Sequence, residues 1–171
     1  LTDGATYYSV MKEILFEKNK RNKPSEVLIS QKTDLKTLNP EEDIMVWFGH
    51  SSYFIQIDGK KILVDPVLSG AASPIKITTK SYKGSDVYDA SDFSEIDYLF
   101  ISHDHWDHLD FETIVKLKSK IRTIICGLGV GLHLEKWGFN PEIIIEKDWN
   151  QEIILEDGFV INTTPARHFS G

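Results

Sequence analysis

Three histidines and two aspartates fall within six residues: His103, Asp104, His105, Trp106, Asp107, His108. Imidazole nitrogen and carboxylate oxygen are the donors that zinc and other divalent first-row metals take. The run follows directly on IDYLFIS (96–102), an apolar stretch that reads as a buried strand. A strand end is a rigid platform, and a loop there can turn several side chains toward one point. The alternate positions His103 and His105 can converge on one ion. Asp107 and His108, beyond the bend, can face a second. The rival reading, an exposed polar loop, does not explain six positions so rich in ligand types.

The elements that must position these residues are strand-rich. MVWFG (45–49), SYFIQID (52–58) and KKILVD (60–65) read as short strands, with Asp58-Gly59 as a hairpin signal between the last two. The stretch 66–93 carries Gly, Ser, Pro and aromatic residues with weak periodicity, as functional loops often do. After the ligand run, 111–118 reads as a helix with Ile114, Val115 and Leu117 apolar, and IRTIIC (121–126) as another strand. GLGVG (127–131) leads into a second short helix near 132–137. EIIIE (142–146), EIILE (152–156) and FVINTTP (159–165) are strand-like, with Asp157-Gly158 turning the last pair. Strands alternating with helices, plus hairpins, predict a mixed α/β protein. Ahead of this, 5–19 reads as an amphipathic helix, with Tyr7, Val10, Met11, Ile14 and Leu15 at helical spacing. The basic segment KNKRNKPS (18–25) reads as a solvated tether, with peripheral contact to a phospholipid surface as the alternative. The expected organisation is therefore a helix and linker over 1–42 and one domain over 43–171.

Composition narrows the class. The chain has 171 residues, 41% hydrophobic and 26% charged, as an ordinary globular domain does. No run of about 18 apolar residues is present, so no transmembrane helix is expected. Net charge is −7, which disfavours nucleic acid as a substrate, because phosphate-backbone binding needs a basic face. The single cysteine, Cys126, rules out an intramolecular disulfide and reads as a buried thiol. Cysteine usage and the lack of a visible signal peptide point to a cytoplasmic location. The first residue is Leu1 rather than Met, so an export signal trimmed from the N-terminus stays open.

HDHWDH matches the HxHxDH signature and resembles the metallo-β-lactamase superfamily. That resemblance implies an αββα sandwich and a dinuclear metal centre. His103 and His105 would serve the first ion, and Asp107 and His108 the second, with Asp104 and Trp106 at the variable positions. His168, in TTPARHFSG after a late strand, resembles the third ligand of the first ion. KKILVDP matches an early family motif in which the aspartate, here Asp65, orders the metal-binding loop; an Asp-Pro turn is the plainer reading. Asp104 reads either as support for a ligand or as a solvated carboxylate. The family completes its centre with a later bridging aspartate and a final histidine, neither of which follows His168. The expectation is a first half of the sandwich plus part of the second, with the C-terminal portion missing or supplied as a separate chain.

WFGHSS (47–52), ILVDPVLSGAASPI (62–75) and TPARHFSG (164–171) together resemble the branch of N-acyl-phosphatidylethanolamine-hydrolysing phospholipases D. Sugar lactonases of the same fold are its near relatives. The combined pattern spans 47–171. His50, in WFGHSS, reads as a pocket residue or a buried structural histidine. The branch implies a zinc-dependent phosphodiesterase with two ions, manganese or iron being alternatives. A metal-bridged hydroxide would be the nucleophile, Asp107 would orient it, and the substrate would be a phospholipid or small molecule. A lactonase or other small-ester hydrolase is the alternative, and a non-catalytic metal-binding scaffold a third. The loop 66–77, with Val67, Leu68, Ala71, Ala72 and Ile75, either receives acyl chains or packs on the body. GLGVG fails G-x-G-x-x-G at Leu132 and reads as a tight βα connection. Ser51 and Ser52 lack the G-x-S-x-G elbow of a serine hydrolase.

Overall fold

The computed structural model describes residues 6, 8, 9, 12, 16, 23–73, 79–155 and 157–168. Most of the helix expected over 5–19 lies outside the described residues, as does Ile75.

Strands β1 (Ile44–Gly49), β2 (Ser52–Ile57), β3 (Lys60–Val64), β4 (Ile96–Ile101), β5 (Ile121–Gly127) and β6 (Ile144–Lys147) form one sheet in sequence order. β1, β2 and β3 pair antiparallel through short turns, while β3 to β6 run parallel. The turn between β2 and β3 is Asp58-Gly59, both at positive φ, as a two-residue hairpin requires. Parallel neighbours need crossovers. Helix α1 (Phe111–Leu117) connects β4 to β5, and α2 (Val130–Lys136) connects β5 to β6. A second, two-stranded antiparallel sheet is formed by β7 (Glu152–Ile154) and β8 (Val160–Asn162).

The sheet has two unlike faces. On one, Phe54, Leu63, Leu99, Ile101 and Ile124 pack against Ile114 and Leu117 of α1 and Val130 and Leu134 of α2. Each fully buried aliphatic side chain there contributes about 1.5–3 kcal/mol. On the other, Tyr98 and Ile125 meet Ile153 and Leu155 from the small sheet. The β7–β8 turn is tied to the main sheet at Asp157, which accepts from the Tyr98 hydroxyl at 2.5 Å and pairs with Lys60 at 3.1 Å.

Two expectations change here. The boundary expected at residue 42 falls within a segment that packs on the body. Leu35 is buried in the main core, Leu38 packs against it, and the Thr33 amide donates to the Tyr88 hydroxyl. The strand read as 142–146 begins two residues later. Pro141 and the Asn140 cap, whose side chain accepts from the Glu142 amide, set a 3-10 turn over Pro141–Ile143 instead. Of the two readings of the loop after β3, its described residues fit packing on the body: Leu68 packs against the main core and Ala71 is buried.

Candidate metal centre

The ligand run emerges from the C-terminal end of β4, where parallel α/β sheets gather their sites. The chain turns at once. The amides of His108 and Leu109 both donate to the His105 carbonyl, at 2.9 and 2.7 Å. This turn separates the first pair of ligand types from the second. Leu109 and Asp110 are buried beneath it. Asp110 accepts from the Ser69 amide at 3.1 Å and from the Thr113 hydroxyl, which itself accepts from the Leu68 amide at 2.9 Å. Helix α1 and the loop after β3 are thereby locked together under the site.

Two clusters of three side chains result. His103, His105 and His168 form one, and His50, Asp107 and His108 the other; within each, the candidate ligand atoms lie within 4.8 Å of one another. His168 arrives from the segment after β8, its Nε2 at 3.2 Å from His105 Nδ1. The imidazole of His103 joins the two clusters, with ring centroids 4.5 Å from those of His105 and His168 and 4.0 Å from that of His108. His50 Nε2 sits at 3.0 Å from Asp107 Oδ2, and its ring lies 5.2 Å from that of His108.

Asp65 sets the protonation pattern around this centre. It is buried at 3% exposure and sits at φ +40°, immediately after β3. Its Oδ1 accepts from the Ser102 amide at 2.8 Å and its Oδ2 from the Ser102 hydroxyl at 2.6 Å. The same Oδ2 lies 2.8 Å from His108 Nδ1. An ionised carboxylate only accepts, so His108 carries its proton on Nδ1 and keeps a lone pair on Nε2. The relay continues one step further. Ser102 spends its hydroxyl proton on Asp65, so at the 2.9 Å contact with His103 Nδ1 it can only accept. His103 is then protonated on Nδ1 as well, and its Nε2 lone pair turns inward. That Nε2 atom is buried without a hydrogen-bond partner among the described residues. A buried lone pair so placed is costly unless something binds it. Burial, followed by His108, His105 and His168, pushes the His103 pKa below the ordinary histidine value and keeps the ring neutral. For Asp107, burial pushes upward, but its own backbone amide and the neighbouring His108 and His50 outweigh that and leave it below the usual carboxyl range. A neutral His103 and an ionised Asp107 are donors of the kind that divalent ions take.

The structure brings together His103, His105 and His168, and separately Asp107 and His108. Asp65 touches Ser102 and His108, at either end of the ligand run. His50 is not a buried structural histidine: its side chain is 59% exposed and faces Asp107. Asp104 lines the adjacent cleft, but among the described residues it makes no hydrogen bond to a ligand side chain, so the supporting contact expected of it is not seen. Ser102 is not singled out by sequence, and Ser51, 3.1 Å from His108 Nδ1, is weighed there only as a nucleophile. Their signal is adjacency to His103 and His50, which a hydroxyl next to a ligand run could have raised. Cys126 is buried, and desolvation pushes its thiol up to about 12.

A cleft of about 1290 Å³ opens beside the centre. Its floor is the second face of the sheet, including Ile55, Ile62, Val64 and Phe100, and His103 and His168 stand at its rim. No helix among the described residues is long and apolar enough to cross a membrane.

A sheet of this topology bearing HxHxDH at the end of β4 defines a metallo-β-lactamase-type mixed α/β fold. Residues 60–171 match the family described as the Beta-lactamase superfamily domain, and the chain belongs to it. It is 40% identical over 126 residues to an uncharacterized protein of Mycobacterium tuberculosis, covering 73% of this chain and 34% of that one. It is 25% identical over 178 residues to N-acyl-phosphatidylethanolamine-hydrolyzing phospholipase D 1 of Caenorhabditis elegans, covering 94% and 49%. Among solved structures it resembles Igni18, a metallo hydrolase from the archaeon Ignicoccus hospitalis. The TM-score is 0.52 at 25% identity, over 74% of this chain and 49% of that one. The chain thus spans about a third to a half of the length of these relatives.

Proposed function

We propose that the protein is a metal-dependent hydrolase acting on phosphodiesters in the manner of a phospholipase D. The observation that carries this reading is the adjacency of two three-residue clusters joined through the His103 ring. The likeness to the nematode enzyme over 94% of the chain supports the phosphodiester class. His103, His105 and His168 hold one divalent ion, and Asp107 and His108 bind the second. Zinc suits these donors best, with manganese and iron as the alternatives. Such ions, when bound, lower the pKa of water from 15.7 toward about 7 and stabilise charge on phosphoryl oxygens.

The chain's own residues do the positioning. Asp65 and Ser102 fix the tautomers of His108 and His103, so both offer Nε2 without rearrangement. Asp107 stays ionised, and its carboxylate would orient an attacking water by accepting a hydrogen bond from it.

The test is a parallel assay of the purified, metal-loaded protein on N-acyl-phosphatidylethanolamine, a chromogenic phosphodiester and a set of lactones. Phosphodiester turnover that is lost on chelation and in Asp107→Ala is the expected result. Turnover of lactones alone would assign the small-ester reading instead. No turnover by protein carrying two ions would refute the enzymatic reading.

A further inference from the structure

His50 stands apart from the HxHxDH run by more than fifty positions, yet the fold delivers it to the second cluster. The delivery is built into the β1–β2 turn. The pairing register shifts between Trp47 and Gly49, a bulge of the kind that re-aims a side chain next to a site. Gly49 sits at φ +109° and His50 itself at φ +47°. The left-handed region is unfavourable for a residue other than Gly, Asn or Asp, and is kept only where the surroundings enforce it. Here the Trp47 indole donates to the His50 carbonyl at 2.9 Å and pins the turn. The outcome is an imidazole whose Nε2 lies 3.0 Å from Asp107 Oδ2, while that carboxylate oxygen lies 3.9 Å from His108 Nε2.

We infer that His50 is a ligand of the second metal ion, completing with Asp107 and His108 a three-residue protein site. This rests on the dinuclear reading above and goes beyond it, since that reading gives the second ion only Asp107 and His108. The spacing fits. Two donors each about 2.0–2.1 Å from one ion lie roughly 2.9 Å apart at a right angle and roughly 3.4 Å apart at the tetrahedral angle. The observed 3.0 Å between His50 and Asp107 falls between these values. Three protein ligands with an open fourth position is the pattern of catalytic rather than structural zinc. The side chain is 59% exposed, so an ion reaches it without displacing the core. Facing an ionised carboxylate, His50 Nε2 carries its proton in the metal-free protein and must shed it to bind an ion; the rival role is that of a hydrogen-bond donor that merely steadies Asp107.

The two roles separate by metal titration of the chelator-treated protein with zinc against a chromophoric competitor, with the imidazoles per zinc counted by X-ray absorption. His50→Gln places an amide nitrogen near the position of Nε2 and can keep the bond to Asp107, but it is a poor ligand. His50→Asn tolerates the left-handed backbone and is too short to reach. Its metal-free circular dichroism and melting point check that the fold is intact. Loss of an outer-shell partner costs about 10–100-fold in metal affinity. The inference expects two zinc ions in the unsubstituted protein. In both variants the second should bind more than about 100-fold weaker, with one imidazole fewer at that site. A smaller loss, or rescue by glutamine, would overturn it and leave the dinuclear reading standing. One ion or none in the unsubstituted protein would overturn the dinuclear reading, and this inference with it.

Discussion

Asp65→Asn tests the protonation relay most directly. Asparagine is nearly isosteric and tolerates the φ of +40° that Asp65 adopts, so the change removes charge without straining the turn. The native carboxylate accepts three hydrogen bonds, from the Ser102 amide, the Ser102 hydroxyl and His108 Nδ1. An amide oxygen can keep the first. Its NH2 group then faces Ser102 Oγ and His108 Nδ1 as a donor. Two charge-assisted bonds are lost, and at about 1.5–3 kcal/mol each the full loss is about 3–6 kcal/mol. New bonds in the reverse sense offset part of this, and a net cost of about 2–3 kcal/mol in the metal-free protein is expected. The larger consequence concerns the metals. A donor opposite His108 Nδ1 moves that ring's proton to Nε2, the atom it must offer to an ion. Ser102, no longer committed to a carboxylate, can donate to His103 Nδ1 with the same result. Both ions should therefore weaken, each by about 10–100-fold, although Asp65 touches neither. Urea unfolding of the metal-free protein gives the first quantity and zinc titration the second. Zinc affinity at both sites within about threefold of the unsubstituted protein would refute the relay.

Asp157 provides a pH test away from the metals. The Tyr98 hydroxyl, reinforced by Lys60, outweighs burial and holds its carboxyl below the usual range. A depressed carboxyl stabilises the fold above its unfolded pKa of about 3.9 and ceases to as pH falls through the lower folded value. Tyr98→Phe should cost about 1 kcal/mol at neutral pH, and this difference should shrink in acid-unfolding curves as pH falls below the ordinary carboxyl range; a constant difference at every pH would contradict the assignment. Cys126, buried with its thiol pushed up to about 12, should resist a disulfide reagent in the native protein and react once urea is added. Fast labelling without denaturant would show that the strand opens locally. Zinc at roughly 100 times its dissociation constant should stabilise the fold by about 2.7 kcal/mol, and His103→Ala should abolish most of that shift in thermal melting. An unchanged shift would place the ions elsewhere.

Much of this architecture is written in local patterns. The apolar runs of β3, β4 and β5 are each bounded by turn residues, and the Asp58-Gly59 hairpin is fixed by two adjacent residues. The metal run shows itself because its ligands are sequence neighbours. What escaped depends on distance or on packing. His50 stands out in WFGHSS, but its approach to Asp107, like that of Ser51 to His108, spans 57 positions, through a bulge whose register shift leaves no residue-type signature beyond Gly49. Ser102 is an ordinary strand-end serine until Asp65 is placed opposite it. The loop after β3 carries small and apolar residues that suit either a lipid pocket or a packed edge. The burial of Ala71 and the bonds from the Leu68 and Ser69 amides to Thr113 and Asp110 show that packing prevails in its described part. The 3-10 turn at Pro141 required the proline to outweigh the apolar run that follows it.

His168 meets His105 across 63 positions of chain. An ion held between them would act as a clasp, closing a loop that in the unfolded chain costs about 3.7 kcal/mol of entropy by the (3/2)RT ln n rule. A disulfide over a comparable span contributes a similar amount, and a chain whose only cysteine is Cys126 cannot form one within itself. Metal supply would then govern more than chemistry. It would decide how firmly the segment beyond β8 is held to the main sheet, and so how readily a protease could remove the very histidine that holds the ion.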